Sequence, residues 1–235
     1  MNVNEKVTII SGANGGLGSV VSRVFHEAGA TVVLVGTRLT GVQAQADELG
    51  PERTLPLAAN LVDPLEAEKV VETTVSRFGR VDVLLNLAGG FSGGASVSES
   101  KVDELDKMLD INLRTTYNLS RAAVKPMIAQ NWGRIINIAS RDALHGRANY
   151  SAYAISKAAV LRLTESMAAE VQDYQITINA LLPGTIDTEA NRRSLPTADF
   201  TNWVKPVAIA QTMLFLVCDE TGAINGASIP IYGRS

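Results

Sequence analysis

Short apolar runs alternate with longer amphipathic stretches along the whole chain. Residues 7–10, 31–35, 81–85, 134–138 and 176–181 are brief, rich in Val, Ile and Leu, and largely apolar without strict alternation. Such runs predict strands covered on both faces. The stretches between them read as helices. Asp63 and Pro64 predict a helix start, as N-cap and first-turn residue; residues 65–78 continue it and Gly79 ends it. Residues 149–172 predict a long helix. Strand, helix, strand in repetition implies parallel pairing through right-handed crossovers. The expected fold class is α/β: a single doubly wound Rossmann-type domain over residues 1–235, with a parallel sheet of about seven strands and helices on both faces. Residues 187–205 break the rhythm. They are too many for a simple connection and predict a substrate lid. Near the end, residues 207–218 predict a helix in which Met213, Leu214, Phe215, Leu216 and Val217 are consecutive. One of its faces is expected on the sheet. The other, with an edge strand over 227–232, is expected against a second subunit, giving a homodimer or homotetramer.

Composition narrows the class. A chain of 235 residues, 46% hydrophobic, can bury one large core. The net charge of -3 and the scattered 21 Lys and Arg residues argue against a nucleic-acid partner. No apolar run approaches the roughly 18 residues that span a membrane, and the N-terminus lacks a signal-peptide pattern, so a cytoplasmic protein with no membrane partner is expected. Cys218, the single cysteine, lies in an apolar run and reads as a buried structural thiol. No His, Cys or carboxylate cluster has metal-ligand spacing, so no metal is expected.

The first expected strand runs straight into Ser11-Gly12-Ala13-Asn14-Gly15-Gly16-Leu17-Gly18, and a helix follows. A glycine-rich turn there lets backbone N–H groups reach a pyrophosphate, helped by the helix dipole. In isolation a tight turn of small residues would look the same; the strand before it and the βαβ context after it favour a nucleotide. Gly12, Gly16 and Gly18 are separated by three residues and then one, not as in the general dinucleotide fingerprint. This loop resembles that of the short-chain dehydrogenase/reductase family, with Ser11 in place of its usual Thr. The resemblance extends over nearly the whole chain. Asn86-Leu87-Ala88-Gly89 is similar to the family's N-N-A-G, with Leu87 as a departure. Asn112 matches its catalytic Asn. Ser140 stands at the end of an expected strand, and Tyr153-Ala154-Ile155-Ser156-Lys157 follows at the family's spacing as Y-x-x-x-K. Pro183-Gly184-Thr185-Ile186 resembles the family's P-G motif beside the nicotinamide.

The chemistry suits these residue types. Carbonyl reduction needs a hydride from one side and a proton from the other. Tyr153 and Lys157, four residues apart, share a helix face. An ammonium there is expected to lower a phenol pKa that is ordinarily about 10. Ser140 can donate to the substrate oxygen and polarise it. The resemblance implies that Lys157 also holds the nicotinamide ribose and that Asn112 holds a water relaying protons to it. It also implies cofactor contacts by Gly12, Asn14, Gly15, Gly16, Leu17, Gly18, Asn60, Leu61, Asn86, Ala88, Gly89, Tyr153, Lys157, Pro183, Gly184, Thr185, Ile186 and Thr188. The second strand ends in Val35-Gly36-Thr37-Arg38, without the acid that would hold a ribose 2′-hydroxyl. Thr37 and Arg38 could meet a 2′-phosphate, so NADP(H) is favoured; Gly15, where NADP-using relatives often carry Arg or Lys, leaves NAD(H) open.

The expected activity is hydride transfer between nicotinamide and a small-molecule carbonyl or alcohol. Phe91, Leu144, His145 and Trp203 are expected to line the substrate, with Arg141, Arg147 and Arg192 available for an anionic group. Tyr150 lacks a Lys at the right spacing and is expected at the pocket edge or in a subunit contact. His26 reads as ordinary surface or packing. The lid's Arg-Ser-Leu-Pro-x-Ala-Asp-Phe-x-x-Trp stretch resembles dihydropteridine reductases, while the rest is more like 3-oxoacyl-thioester reductases. A dihydropteridine-reductase-like enzyme and a non-catalytic nucleotide sensor of the same fold stay as alternatives.

Overall fold

The structure, a computed structural model, describes residues 3–234. Among these residues seven strands form one sheet: β1 (Val7–Ser11), β2 (Thr31–Gly36), β3 (Thr54–Ala58), β4 (Val83–Asn86), β5 (Trp132–Ile138), β6 (Gln175–Pro183) and β7 (Ser228–Ile231). The order across the sheet is β3-β2-β1-β4-β5-β6-β7. Every neighbouring pair is parallel. The helices are α1 (Gly18–Glu27), α2 (Leu39–Leu49), α3 (Pro64–Phe78), α4 (Glu104–Met108), α5 (Thr115–Ala129), α6 (Ser151–Glu170), α7 (Glu189–Ser194) and α8 (Pro206–Leu216).

The runs that look apolar throughout do so because successive side chains enter two different cores. Ile10, Leu34, Leu85 and Ile136 pack under α1, α2 and α8. Their neighbours Ile9, Val33, Leu84 and Ile135 pack under α3, α5 and α6. The sheet is therefore buried on both faces, as parallel sheets require. Both edges are blunted by proline: Pro56 lies in β3 and Pro230 in β7. The strand order reverses between β1 and β4, and that switch point opens the crevice in which such folds bind ligands.

Local caps follow the sequence. The Asp63 carboxylate accepts from the Leu65 N–H at 2.8 Å and Pro64 opens α3. Gly79 closes it in the left-handed conformation, φ 77°. Three expectations need correction. The fourth strand begins at Val83 rather than at residue 81, because Asp82 is turned inward: its carboxylate accepts from the Val7 N–H at 2.8 Å and from Arg80 at 2.6 Å. Residues 187–205 are not irregular throughout; they hold α7, a helical turn over Phe200–Asn202 and an Ile186–Val204 bridge. In α8 and just beyond it, Met213, Leu214, Leu216 and Val217 are buried within the chain itself. Of that apolar run only Phe215 is exposed, so its own sheet claims most of the surface expected for a partner. Cys218 is buried, with its Sγ on the Leu214 carbonyl at 3.0 Å.

Asp82 ties the start of β1 to β4 and so supports the crevice from its far end. Its side chain is fully buried. The variant Asp82→Ala strands the Val7 N–H and leaves Arg80 without its partner. We expect it to lower the unfolding free energy by about 3 kcal/mol, the loss typical of breaking a buried pair, measured by urea denaturation.

Candidate active site

At the switch point two backbone turns come into direct contact. Gly12 has φ 64°, and a Cβ there would lie 2.9 Å from the Ala88 nitrogen. A Cβ on Gly18 would collide with the Gly12 carbonyl. Glycine is needed at both places, for conformation at the first and for space at the second. The Ser11 hydroxyl joins the turns, accepting from the Leu87 and Ala88 N–H groups at 3.1 Å each. Ser11 thus keeps the hydroxyl function expected at this position. Gly15 donates its N–H to the Gly12 carbonyl at 3.0 Å and α1 follows directly, uncapped by any side chain. A helix N-terminus without a side-chain cap, reached through a glycine-rich turn, is what a pyrophosphate requires. The cradle fits a nicotinamide dinucleotide.

The β4 turn continues towards Asn112 and Lys157. A Cβ on Gly89 would lie 2.8 Å from Asn112 Oδ1 and 3.3 Å from Lys157 Nζ. Asn112 sits in a widened π-turn (Leu109–Arg114) between α4 and α5, a distortion common at functional positions. Its Oδ1 accepts from the Gly90 N–H at 3.0 Å, and its Nδ2 donates to the Gly90 carbonyl at 3.1 Å and to Ser156 Oγ at 3.0 Å. Ser156 in turn donates to the Tyr153 carbonyl at 2.8 Å. Asn112 and Ser156 together tie the β4 turn to α6. The Asn112 side chain is thereby held by protein partners, and its main-chain carbonyl accepts from Thr116 Oγ1 at 2.8 Å.

Lys157 is only 5% exposed and donates to the Ile138 carbonyl at 2.9 Å. Burial lowers its pKa from 10.5 to about 8. Burial also raises the Tyr153 pKa, opposed chiefly by a hydrogen bond from Ser140. The expected lowering by Lys157 is therefore corrected: the ammonium is turned to Ile138 and itself desolvated, so Ser140 supplies the main opposing pull. Tyr153 stays a phenol at neutral pH, the form that can give a proton. Ser140 stands just past β5, its Oγ accepting from the Asp142 N–H at 3.2 Å.

On the side of the β2 end, the Asn14 amide fills the corner above Gly36 and Gly41. Thr37 and Arg38 are exposed ahead of α2. Asn60 is also exposed; its Oδ1 accepts from the Val62 N–H at 3.3 Å. Leu61 is buried, and Asn118 donates to its carbonyl at 3.0 Å. At the end of β6, Gly184 donates to the Ile231 carbonyl at 2.9 Å, and the Thr185 carbonyl receives the Val204 N–H at 2.9 Å. Thr188 caps α7 and packs on the glycine loop, since a Cβ on Gly16 would lie 2.9 Å from its Cβ.

Phe91 is 58% exposed and its ring meets Tyr153 edge-on at 5.0 Å. Tyr150 also packs on Phe91, with ring centroids 5.3 Å apart. Leu144 and His145 are exposed in the turn after Ser140. Trp203 is a correction: it is buried, with Phe200 at 4.8 Å, and offers little surface to a ligand. Two expected anion contacts are otherwise engaged. Arg147 pairs with Asp142 at 3.0 Å, and Arg192 pairs with Asp187 at 2.5 Å. Sequence reasoning missed Ser156, Asn118 and Asp187. The first two are polar residues on otherwise buried helix faces, which periodicity could have exposed; Asp187 is the acid at the start of the 187–205 segment.

A family model described as short chain dehydrogenase matches residues 6–199. The chain belongs to this family. The 3-oxoacyl-[acyl-carrier-protein] reductase of Thermotoga maritima is 32% identical, over 99% of this chain and 98% of that protein. The NAD-dependent glycerol dehydrogenase of Listeria innocua is 30% identical, over 99% and 94%. Among solved structures, levodione reductase superposes with a TM-score of 0.91 at 30% identity, covering 98% of this chain and 97% of that one. As a short-chain dehydrogenase, the protein is an NAD(P)-dependent oxidoreductase acting on carbonyl or alcohol groups.

The buried Lys157 implies a measurable conflict between stability and function. Below pH 8 the folded chain holds a desolvated ammonium that the unfolded chain would hydrate. The gap between 10.5 and about 8 is worth about 3 kcal/mol. That penalty is full at pH 7, shrinks as pH rises through 8 and is gone above 10.5. Lys157→Met should therefore melt no lower than the parent at pH 7 while losing turnover, and its relative stability should fall between pH 8 and 10.5. Thermal melts at pH 7 and pH 10 check the sign.

Proposed function

We propose that this enzyme reduces a neutral small-molecule ketone or aldehyde with NADPH, with Tyr153 as proton donor and Ser140 as polarising partner. The observation that carries the reading is the convergence of Lys157 Nζ and Asn112 Oδ1 on Gly89, behind the glycine cradle. A bound nicotinamide supplies or accepts the hydride. The Tyr153 phenol gives its proton to the carbonyl oxygen as negative charge develops there. The Ser140 hydroxyl donates to the same oxygen. Lys157, beside Gly89, holds the ribose hydroxyls, and its lowered pKa suits it to pass a proton back to Tyr153. Asn112, which meets Lys157 across Gly89, holds the water that relays protons to it.

NADP(H) is supported by what the β2 end excludes. A Cβ on Gly36 would lie 2.9 Å from Val42 Cγ1 and 3.0 Å from Asn14 Oδ1. An acid at that position is disfavoured sterically. The exposed Arg38 precedes α2, whose first N–H groups have no side-chain cap, and a 2′-phosphate would suit both. The substrate is read as neutral because Arg147 and Arg192 already have carboxylate partners. Residues 187–205 act as the lid. The exposed Phe215 of α8 and the open edge at β7 support a homodimer or homotetramer.

Two variants test the reading. Tyr153→Phe should keep cofactor affinity and lose at least about 10²-fold in kcat, in stopped-flow or steady-state assays over a ketone panel; near-parental turnover would refute the assignment. Arg38→Asp should raise the Kd for NADPH at least about tenfold and leave that for NADH little changed, measured by fluorescence titration.

A further inference from the structure

The rings beside the catalytic hydroxyl form a built wall rather than a chance cluster. Phe91 lies in the turn after β4 and Tyr150 in the turn before α6. The two turns are locked together by the Gly94 N–H, which donates to the Asn149 carbonyl at 2.8 Å. Asn149 adopts φ 68° to present that carbonyl, and Gly94 adopts φ 111°. Gly93 leaves the space that the rings need. A Cβ there would lie 3.0 Å from the Asn149 carbonyl, 3.1 Å from the tip of the Phe91 ring and 3.2 Å from Tyr150 Cδ1. Arg147 closes the far end, stacked 4.1 Å from the Tyr150 centroid and held there by Asp142 at 3.0 Å. The result is a continuous row: Arg147, Tyr150, Phe91, Tyr153. Within it Phe91 stays more than half exposed although its edges are packed, so the ring is preorganised with open surface next to the reacting group.

We propose that this row selects the substrate: the enzyme's preferred carbonyl compounds carry a flat, unsaturated ring next to the carbonyl, and that ring packs on Phe91 while Tyr153 meets the oxygen. This rests on the reading of Tyr153 as the proton donor. A straight acyl chain would gain only apolar contact from Phe91. A flat ring gains in addition the offset or edge-on ring geometry already seen between Phe91 and Tyr153. Because Phe91 is held by backbone bonds and glycine space, little ordering is needed when the ligand arrives.

The test uses 1-tetralone and its saturated counterpart 1-decalone, which share a carbon skeleton and differ in flatness and ring electrons. Each is titrated calorimetrically into the whole protein saturated with oxidised cofactor, a complex that cannot turn over. Binding is therefore read apart from chemistry, and failure of the Tyr153 assignment would show only in the turnover of Tyr153→Phe. The parent should bind 1-tetralone about tenfold more tightly than 1-decalone, about the size of one favourable ring pair. Phe91→Leu, which keeps apolar bulk without a ring, should bring the two within about twofold, and Phe91→Tyr should restore the preference. Equal binding of the two ketones by the parent, binding of neither, or a preference that survives Phe91→Leu would each overturn the proposal.

Discussion

Everything at this site hangs on the contact between two bare pieces of main chain, the turns after β1 and β4. Gly12 meets Ala88 closely enough that no side chain fits between them, and Ser11 bonds both N–H groups of the facing turn. From that contact a chain of hydrogen bonds runs outward without a break. Gly90 is bonded to Asn112 through both its N–H and its carbonyl; Asn112 reaches Ser156; Ser156 reaches the Tyr153 carbonyl. The nucleotide loop and the proton donor are thus one rigid body. Preorganisation of this kind is what positions a reacting carbonyl without further ordering.

The same burial that gives rigidity sets the charges. An ammonium held by a single carbonyl in an apolar surround loses hydration and drops towards neutrality, as Lys157 does. A phenol in the same surround keeps its proton, as Tyr153 does. The two shifts move the pair apart on the pH scale, the phenol upward from 10.0 and the ammonium from 10.5 down to about 8, so the proton rests on Tyr153 and Lys157 is the readier of the two to give one up. Ser140 opposes the upward shift of Tyr153 through its hydrogen bond, favouring the phenolate as it forms.

Much of this was legible in the sequence because it rests on short-range patterns. Apolar runs located five strands, and Asp63, Pro64 and Gly79 marked both ends of a helix. The glycine spacing and the Tyr153–Lys157 interval placed the cradle and the donor, since turn geometry and helix periodicity are local. What stayed hidden depends on partners far apart in the chain. Asp82 looked like a strand residue, but its bond to the Val7 N–H spans 75 positions. Trp203 looked like a pocket wall until Phe200 and the lid enclosed it. The α8 run looked too apolar for one chain, yet the core shared with α1 absorbs it. The pKa of Tyr153 depends on which way Lys157 turns, and no spacing rule supplies that.

The segment over residues 187–205 shows how charge, once paired, narrows the choice of substrate. Asp187 has a side chain only 6% exposed and accepts from Arg192 and Lys205 at 2.5 Å each. Those two partners hold its carboxyl well below the usual range, so the clamp stays ionised in mild acid. Arg192 also lies 4.8 Å from the Phe200 centroid, which in turn packs on Trp203. One carboxylate therefore ties both ends of the 187–205 segment together. To recruit Arg192 or Lys205, an anionic substrate would have to compete with a carboxylate that is already in place and largely withdrawn from water. Beside Tyr153 the open surface is the Phe91 ring, and the nearby Arg147 is already paired with Asp142, so discrimination there rests on ring shape and packing more than on charge.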